Sequence, residues 1–329
     1  MTQTKTTKTD RPFLLTGAAG FIGRHVMRAL RGRNLIVVGV DWNQESVERA
    51  VDRDGGVMRL SSFDDADIIR AVAAGEFSCI VHLAATARVP FSVQEPVETH
   101  INNVERSLRL LDACRLGRVR MVFAGSSSVY GDTSVCPTPE SAKAQPMTPY
   151  GLQKYIMDEY IRIYGSLYGM DAVSLRFFNV FGPGQYPGGT YPMAITAWSW
   201  AIAMGTRAEI YGDGSIRRDY TFVDDVCRGI VMAATRNEPF CGQSINLPAS
   251  SPVTMLEVWN CLLNASGKSH ELHFMPPRAG DPSVTWGDNY LAQKELGWTP
   301  EISFQEGVEK TWEWVKEEVQ SYTSESIPA

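Results

Sequence analysis

The stretch Thr16-Gly17-Ala18-Ala19-Gly20-Phe21-Ile22-Gly23 decides the fold. A short apolar run at residues 13–15 precedes it. Within it begins a segment, residues 20–31, whose apolar residues have helical spacing. A strand that turns directly into a helix needs glycine for steric reasons, because the turn is tight, a ligand approaches the backbone, and the helix packs closely on the strand. We therefore predict a strand–turn–helix unit whose helix N-terminus offers free N–H groups to an anion.

The second predicted strand ends in a carboxylate, and dinucleotide-binding units of this kind carry a carboxylate at that position. Residues 35–40 are predicted as a buried strand, and Asp41 closes it, 24 residues after Gly17. A carboxylate there accepts hydrogen bonds from ribose hydroxyls and would repel a 2′-phosphate. The pattern predicts a dinucleotide site formed by Gly17, Gly20, Gly23 and Asp41, with NAD rather than NADP as the cofactor.

Apolar runs that alternate with helical patterns extend this unit into a larger sheet. Further strands are predicted at 79–83, 119–124 and 174–178, and helices at 66–74, 96–115 and 149–168. Buried strands that alternate with helices form a parallel sheet covered on both faces. The predicted fold class is α/β, a Rossmann-type doubly wound parallel sheet with a smaller, mixed C-terminal lobe.

The pattern changes after Asn179, where residues 182–192 are rich in Gly and Pro and are predicted as loop. Two lobes that share one continuous chain fit this change better than two independent domains. We predict a dinucleotide domain at 12–178 plus about 222–248, and a substrate-binding lobe at 179–221 and 249–320.

Composition excludes several classes of partner. The 329 residues are 44% hydrophobic and 21% charged, and the net charge of −6 disfavours binding to nucleic acid. No apolar run reaches the roughly 18 residues of a membrane helix. Residues 1–11 are rich in Thr and Lys, lack the apolar region of a signal peptide, and are predicted as a disordered lead-in. We expect a cytoplasmic protein.

The cysteines predict neither disulfides nor a metal site. None of the six forms a C-x-x-C pair, and none has metal-ligand spacing with the five histidines. We expect them to be small core residues in a reducing compartment.

A Tyr and a Lys four residues apart lie on the predicted helix 149–168. Tyr150 and Lys154 share one helix face, so the phenol and the ammonium can reach a single site. A nearby cation favours the phenolate, and we expect Lys154 to lower the pKa of Tyr150 from about 10 toward the working range. Tyr150 could then exchange a proton with a substrate hydroxyl during hydride transfer.

A serine cluster follows the predicted strand 119–124. Ser126, Ser127 and Ser128 would lie at the carboxyl edge of the sheet, where open α/β sheets bind their ligands. A hydroxyl there can hold or pass the proton of a reacting oxygen. Ser126, Tyr150 and Lys154 are therefore the predicted catalytic residues.

At this point the sequence resembles the extended short-chain dehydrogenase/reductases, especially the nucleotide-sugar epimerases and dehydratases. The resemblance runs from about residue 13 to 298. It rests on TGAAGFIG (16–23), VHLAA (81–85), NNV (102–104), SSSVYG (126–131), YGLQK (150–154), RFFNVFGPG (176–184), YGDGSIRRDYTFVDD (211–225) and RAGD (278–281).

The resemblance implies roles for individual residues. The implied NAD contacts, beyond the glycines and Asp41, are Phe21, Ile22, Ser62, Phe63, Leu83, Ala84, Ala85, Asn103, Tyr150, Lys154 and Phe178. The implied contacts of a nucleotide-sugar substrate are Ser126, Ser127, Ser128, Asn179, Tyr211, Arg218 and Arg278, with the two arginines on the pyrophosphate. A homodimer through helices 96–115 and 149–168 is also implied.

One position departs from the family pattern. The family often places an Asp after the third strand to contact adenine, whereas Ser62 and Phe63 stand at that place here, followed by Asp64 and Asp65. Ser62 could substitute as a hydrogen-bonding group, or the loop could shift.

The residues beside Ser126 favour one reaction within the family. Similar dehydratases carry an Asp-Glu pair before Val-Tyr-Gly, and similar decarboxylases carry a Glu, because elimination needs an additional acid and base. Ser127 and Ser128 stand there in this chain. We therefore expect epimerisation at C4 of a UDP-hexose or UDP-hexuronate through a 4-keto sugar. A dehydratase, a keto-sugar reductase and a non-catalytic NAD-binding protein are the alternatives.

Overall fold

The computed structural model describes residues 11–54, 58–187, 193–277 and 282–322. The strands are β1 (Phe13–Thr16), β2 (Val37–Asp41), β3 (Met58–Leu60), β4 (Cys79–His82), β5 (Arg120–Ser126), β6 (Ala172–Phe177), β7 (Asn179–Phe181), β8 (Ala208–Tyr211), β9 (Arg217–Arg218), β10 (Tyr220–Phe222), β11 (Cys241–Leu247), β12 (Val253–Thr254) and β13 (Leu272–Met275). The helices are α1 (Phe21–Arg31), α2 (Gln44–Asp54), α3 (Ala66–Ala73), α4 (Val89–Gln94), α5 (Pro96–His100), α6 (Ser107–Gly117), α7 (Pro149–Tyr168), α8 (Ala194–Met204), α9 (Val223–Thr235), α10 (Met255–Ser266), α11 (Tyr290–Leu296) and α12 (Phe304–Tyr322).

Seven strands form one parallel sheet in the order β11-β6-β5-β4-β1-β2-β3. Helices cover both of its faces: Val26, Met27 and Ile230 belong to the apolar cluster on one side, and Leu110 and Met157 to the cluster on the other. Burial on both faces explains why β1, β4, β5 and β6 are buried along their whole length. The predicted fold class is confirmed.

Smaller strand pairs lie outside this sheet. β7 pairs with β10 and β8 with β13 in parallel, whereas β9 and β12 are antiparallel. This mixed region includes the segments predicted as the substrate lobe. The division of the chain into two lobes stays a prediction. Of the predicted disordered lead-in, residues 1–11, only Arg11 lies within the described residues, and its Nη1 donates to the Gly75 carbonyl at 2.6 Å.

The predicted helix at 96–115 is interrupted in the structure. α5 is followed by a π-helical segment, Ile101–Arg106, and then by α6. A π-helix adds a residue to the turn and changes the direction of the side chains after it. Here it brings Asn102 and Asn103 to Thr86, whose hydroxyl and backbone they contact.

Helix α7 begins and ends where the sequence predicts. The Thr148 hydroxyl caps it by accepting from the Gly151 N–H, and Pro149 occupies the first turn, where no N–H is required. Gly169 ends it in the left-handed conformation at φ 61°. These signals fix the register of Tyr150 and Lys154. Across the described parts of the chain, no helix has both the length and the apolar character needed to span a bilayer.

Candidate active site

The carboxyl ends of β1, β2, β4, β5 and β6 meet at one edge of the sheet, because the strands are parallel. The turns after these strands carry the predicted site residues. In a doubly wound sheet this edge holds the crevice where ligands bind.

The Gly-rich turn after β1 is shaped by two glycines that packing requires. Gly17 has a φ of 67°, and a Cβ there would lie 2.8 Å from the Ala84 nitrogen. A Cβ on Gly23 would lie 2.1 Å from the Gly17 oxygen. Gly20 is different, because it is exposed, and its nearest obstacle is the same oxygen at 3.2 Å. Gly20 therefore leaves an open surface at the N-terminus of α1.

Asp41 is held against this turn. Its Oδ2 accepts a hydrogen bond from the Ala19 N–H at 3.1 Å, and its Oδ1 accepts one from the Asn43 N–H at 3.2 Å. The carboxylate at the end of β2 and the glycine turn after β1 therefore form one structural unit, in the arrangement that the sequence predicts.

The polar groups of the loop after β3 form hydrogen bonds with one another. The Ser62 hydroxyl donates to Asp64 at 2.5 Å, and the Ser62 N–H donates to Asp65 at 3.1 Å. Phe63 is buried, with its ring edge-on to His82 at 4.8 Å. The Ser62 hydroxyl would have to leave Asp64 in order to bond adenine. Phe63 packs inside the domain.

A buried histidine connects β1, β4 and α6 beneath the turn that carries Leu83, Ala84 and Ala85. His82 Nδ1 lies 2.7 Å from the Thr16 hydroxyl, and Nε2 lies 3.0 Å from the Ser107 hydroxyl. The same Thr16 oxygen accepts from the Ala84 N–H at 3.2 Å. Burial, and secondarily Lys154, lower the pKa of His82 to about 3, so the ring is neutral.

Asn103 is buried and its side-chain amide is engaged with the protein. It accepts from the Thr86 N–H at 2.7 Å and donates to Gln153 at 2.8 Å. Gln153 donates in turn to Thr99 at 2.9 Å. The structure therefore places Asn103 as a buried link between the turn after β4 and helix α7.

Ser126 and Tyr150 meet at the end of β5. The Ser126 hydroxyl lies close enough to the Tyr150 phenol to lower its pKa, and its oxygen accepts from the Ser128 N–H at 3.2 Å. The Tyr150 N–H donates to the buried Ser92 hydroxyl at 3.1 Å, which ties α7 to α4. Two of the three predicted catalytic side chains are therefore neighbours at this edge of the sheet.

The pKa of Tyr150 corrects one expectation from the sequence. Burial raises the pKa of the phenol to about 12, and the neighbouring Ser126 side chain opposes this rise. Lys154 does not lower the pKa into the working range, because its ammonium points elsewhere. Its Nζ donates to the Ala124 carbonyl at 2.8 Å and lies 5.8 Å from the centre of the Tyr150 ring.

Lys154 is a buried cation. Only 3% of it is exposed, and its Nζ lies 4.6 Å from the centre of the Phe123 ring. Burial lowers the pKa of Lys154 to about 8, and the charge of Asp158 opposes this change. Lys154 is therefore close to titration at physiological pH.

The remaining serines form a short turn beside the phenol. Ser127 begins a 3₁₀ turn, Ser127–Val129, and both Ser127 and Ser128 are half-buried. The Ser126 hydroxyl donates to the Ser128 hydroxyl at 3.0 Å. No carboxylate stands at either position, as the sequence requires.

Three further predicted substrate contacts lie on β7, β8 and β9. Asn179 donates to the Asp219 carbonyl at 2.8 Å and to the Thr285 hydroxyl at 3.1 Å. Arg218 donates to the Pro282 carbonyl at 2.7 Å. Tyr211 ends β8 and donates to Glu209 at 3.2 Å.

The last two predicted site residues are Phe178, a predicted NAD contact, and Arg278, a predicted substrate contact. Phe178 is buried against Val129 and Tyr130, so it packs against the 3₁₀ turn Ser127–Val129 from the interior of the protein. Arg278 lies outside the described residues.

Sequence reasoning missed the buried residues that hold the site together. His82 and Arg176 lie in motifs that we quoted, VHLAA and RFFNVFGPG, but they carried no chemical argument of their own. Ser92 and Asp158 carried no sequence signal, because a lone Ser or Asp in a helical pattern resembles an ordinary cap or surface residue.

A doubly wound sheet with this edge is typical of dinucleotide-dependent oxidoreductive enzymes. The chain belongs to the NAD dependent epimerase/dehydratase family, whose profile matches residues 13–247. This membership confirms the predicted family and the predicted cofactor, NAD.

Two curated relatives match nearly the whole chain. The UDP-glucose 4-epimerase of Mycolicibacterium smegmatis is 35% identical over 313 residues, which are 93% of this chain and 99% of that protein. The UDP-glucuronate 4-epimerase of Thermodesulfobacterium geofontis is 30% identical and covers 94% and 97%.

Two solved structures share the fold. The UDP-glucose 4-epimerase of Thermotoga maritima with UDP-glucose has a TM-score of 0.87 at 30% identity, covering 94% of this chain and 99% of that one. The UDP-glucuronic acid 4-epimerase of Bacillus cereus with UDP-glucuronic acid and NAD has a TM-score of 0.84 at 28% identity, covering 93% and 99%.

Proposed function

We propose that this protein is an NAD-dependent epimerase that inverts C4 of a UDP-hexose or UDP-hexuronate. One observation carries the proposal. Ser126 and Tyr150 are neighbours at the carboxyl edge of a dinucleotide-binding sheet, and serines rather than carboxylates follow Ser126. A site that can support hydride transfer but lacks the acid and base needed to eliminate water fits epimerisation. The 4-epimerase relatives give independent support.

The residues present fit NAD. The exposed Gly20 leaves space at the start of α1 that a Cβ would partly fill, and free N–H groups there suit a pyrophosphate. Asp41, held by Ala19, suits the adenosine ribose hydroxyls. Leu83, Ala84 and Ala85 are partly exposed and form an apolar surface along the same edge. Asn103 and Phe63 support this surface from within.

The chemistry then follows from the two polar side chains at the edge. NAD⁺, when bound, would supply the acceptor and then the donor for the hydride that leaves C4 of the sugar and returns to its opposite face. Tyr150 takes the proton of the C4 hydroxyl and later gives it back, and Ser126 holds the same oxygen through a hydrogen bond. Burial raises the pKa of Tyr150 and the Ser126 side chain opposes this rise, while the buried ammonium of Lys154 lies 5.8 Å from the centre of the same ring.

The nucleotide-sugar would bind between β7 and β9. Asn179 and Arg218 flank this region, and Arg218 points toward Pro282, next to the segment that contains Arg278. Guanidinium groups bind pyrophosphate oxygens in a bidentate manner, which suits both arginines. Tyr211 would stack on the nucleobase, as the resemblance implies. Ser127 and Ser128 can bind either a hydroxymethyl group or a carboxylate at C5, so neutral and uronic sugars both fit.

A homodimer fits the surface of α5, α6 and α7. Large apolar side chains stay exposed there, including Val97, Leu116, Leu152 and Leu167. Contiguous exposed apolar surface indicates an interaction site. We propose that a second copy of the chain covers this surface, as the resemblance implies.

The test is a substrate panel with purified protein and added NAD. We expect interconversion of at least one 4-epimer pair among UDP-hexoses, UDP-N-acetylhexosamines and UDP-hexuronates, separated by chromatography. Failure with every pair would reject the epimerase. Consumption of a reduced cofactor by a keto-sugar, without epimerisation, would indicate a reductase.

A further inference from the structure

A second buried titratable residue lies one helical turn beyond Lys154. Asp158 is 1% exposed and stands four residues after Lys154 and eight after Tyr150, so all three lie on one face of α7. Nothing in the proposed chemistry uses this carboxyl group. A buried charge is costly unless it is paired, so its retention needs an explanation.

Both oxygens of Asp158 accept hydrogen bonds from β6. Ser174 donates to Oδ1, and Arg176 Nε donates to Oδ2 at 2.8 Å. Burial raises the pKa of Asp158, whereas Arg176, Ser174 and Lys154 act in the opposite direction. Because both oxygens act as acceptors beside two cations, we assign the group as a carboxylate.

Arg176 is fixed in turn by the turn that follows Ser126. Its Nη1 donates to the Tyr130 hydroxyl at 2.7 Å, and Tyr130 donates to Asn246 on β11 at 2.7 Å. Burial raises the pKa of Tyr130 to about 12, so it stays a neutral phenol. The position of Asp158 is therefore determined by two strands of the sheet, β6 and β11, and by the turn after β5, rather than by α7 alone.

The groups that face Lys154 come from three elements. Tyr150 and Asp158 belong to α7, the neutral His82 to β4, and the Phe123 ring to β5. Asp158 is the group whose charge opposes the effect of burial on Lys154. Phe123 offers only the weaker attraction of a ring face.

We propose that Asp158 is a positioning residue for Lys154, and that its carboxylate, held by Arg176 and Ser174, keeps the buried ammonium charged at the pH of turnover. The importance of this for catalysis rests on the proposed function, in which Lys154 is the buried cation one helical turn from Tyr150. The electrostatic link between Asp158 and Lys154 does not rest on it.

The decisive measurement is the titration of Lys154 itself, followed by NMR of protein labelled with ¹³C at the lysine Cε. The K154R variant identifies the resonance. In the NAD-bound protein, D158N is expected to lower the midpoint of Lys154 by about one pH unit, because an opposite charge nearby is worth about that much or more. A midpoint within 0.2 units (about the error of such a titration) of the unmodified protein would overturn the proposal.

The matched control is D171N. Asp171 accepts from Arg120 Nε at 2.9 Å in another buried pair, which lies where β5 begins rather than where it ends. Both variants leave a buried arginine without its carboxylate, so both are expected to lower the unfolding temperature. Only D158N should move the midpoint of Lys154. An equal movement in D171N would assign the effect to general loosening and contradict the proposal.

Should D158N fail to fold, the double variant D158N/R176Q removes both charges and leaves no unpaired buried cation. The Lys154 midpoint is then expected to fall in the same direction by a smaller amount, and an unchanged midpoint again overturns the proposal. If epimerase activity exists, the alkaline limb of its kcat/KM profile should fall with the NMR midpoint. If no UDP-sugar reacts, the NMR result still stands, so the two failures are distinguishable.

Discussion

Replacing Tyr150 with Phe is expected to reduce kcat for 4-epimerisation by about 10³-fold, because the proton of the C4 hydroxyl loses its acceptor. The substitution removes one oxygen and keeps the ring. NAD affinity should change by less than about threefold, since a ring that keeps its packing keeps most of its contribution to binding. Both quantities can be measured on one preparation, by chromatography of the sugars and by calorimetry of NAD.

Y160F is the matched control for this prediction. Tyr160 lies on the same helix α7, and its ring contacts Tyr164 rather than the carboxyl edge of the sheet. Y160F makes the same chemical change away from the site and should keep its activity. Turnover by Y150F at the unmodified rate would exclude Tyr150 as the base and leave Ser126 as the candidate.

Replacing Gly20 with Val is expected to weaken NAD binding by about 100-fold while the fold stays intact. The added side chain would occupy the open surface at the start of α1 and displace the pyrophosphate from the free N–H groups. Loss of one or two hydrogen bonds to a charged group accounts for roughly 3 kcal/mol, which corresponds to this factor. Calorimetric titration with NAD gives the affinity.

The other end of the same helix supplies the control. Gly32 is exposed, its φ is −60°, and a Cβ there would lie 3.2 Å from a backbone oxygen, as at Gly20. G32V should therefore bind NAD normally. G23A should behave differently from both, because its Cβ would meet the Gly17 oxygen at 2.1 Å and destabilise the domain. Normal NAD affinity in G20V would refute the assignment of this turn to the pyrophosphate.

The parts of the fold that local signals determine could be predicted from the sequence. Thr148, Pro149 and Gly169 mark both ends of α7 by capping and backbone geometry, so its limits follow from residue types alone. The continuous apolar runs of β1, β4, β5 and β6 identify a sheet buried on both faces. The strand β3 and the helix α2 were not predicted, because three residues and a mostly polar helix give a weak periodic signal.

The parts of the site that depend on side-chain direction could not be predicted. The spacing of Tyr150 and Lys154 places both on one face, but it does not show that Lys154 turns to the Ala124 carbonyl. The effect of burial on the pKa of Tyr150 requires knowledge of what covers the phenol. The contacts of Asn103 depend on a π-helical segment, which no residue pattern that we used indicates.

The central claim is that C4 is oxidised and reduced within one site, with Tyr150 moving the proton. It is tested most directly by supplying the reactive UDP-sugar with deuterium at C4 and analysing the epimerised product by NMR and mass spectrometry. We predict that the product keeps its deuterium at C4 in ordinary water, because the transferred atom never exchanges with solvent. Replacement of the label by solvent hydrogen would show inversion by proton abstraction and would contradict the account.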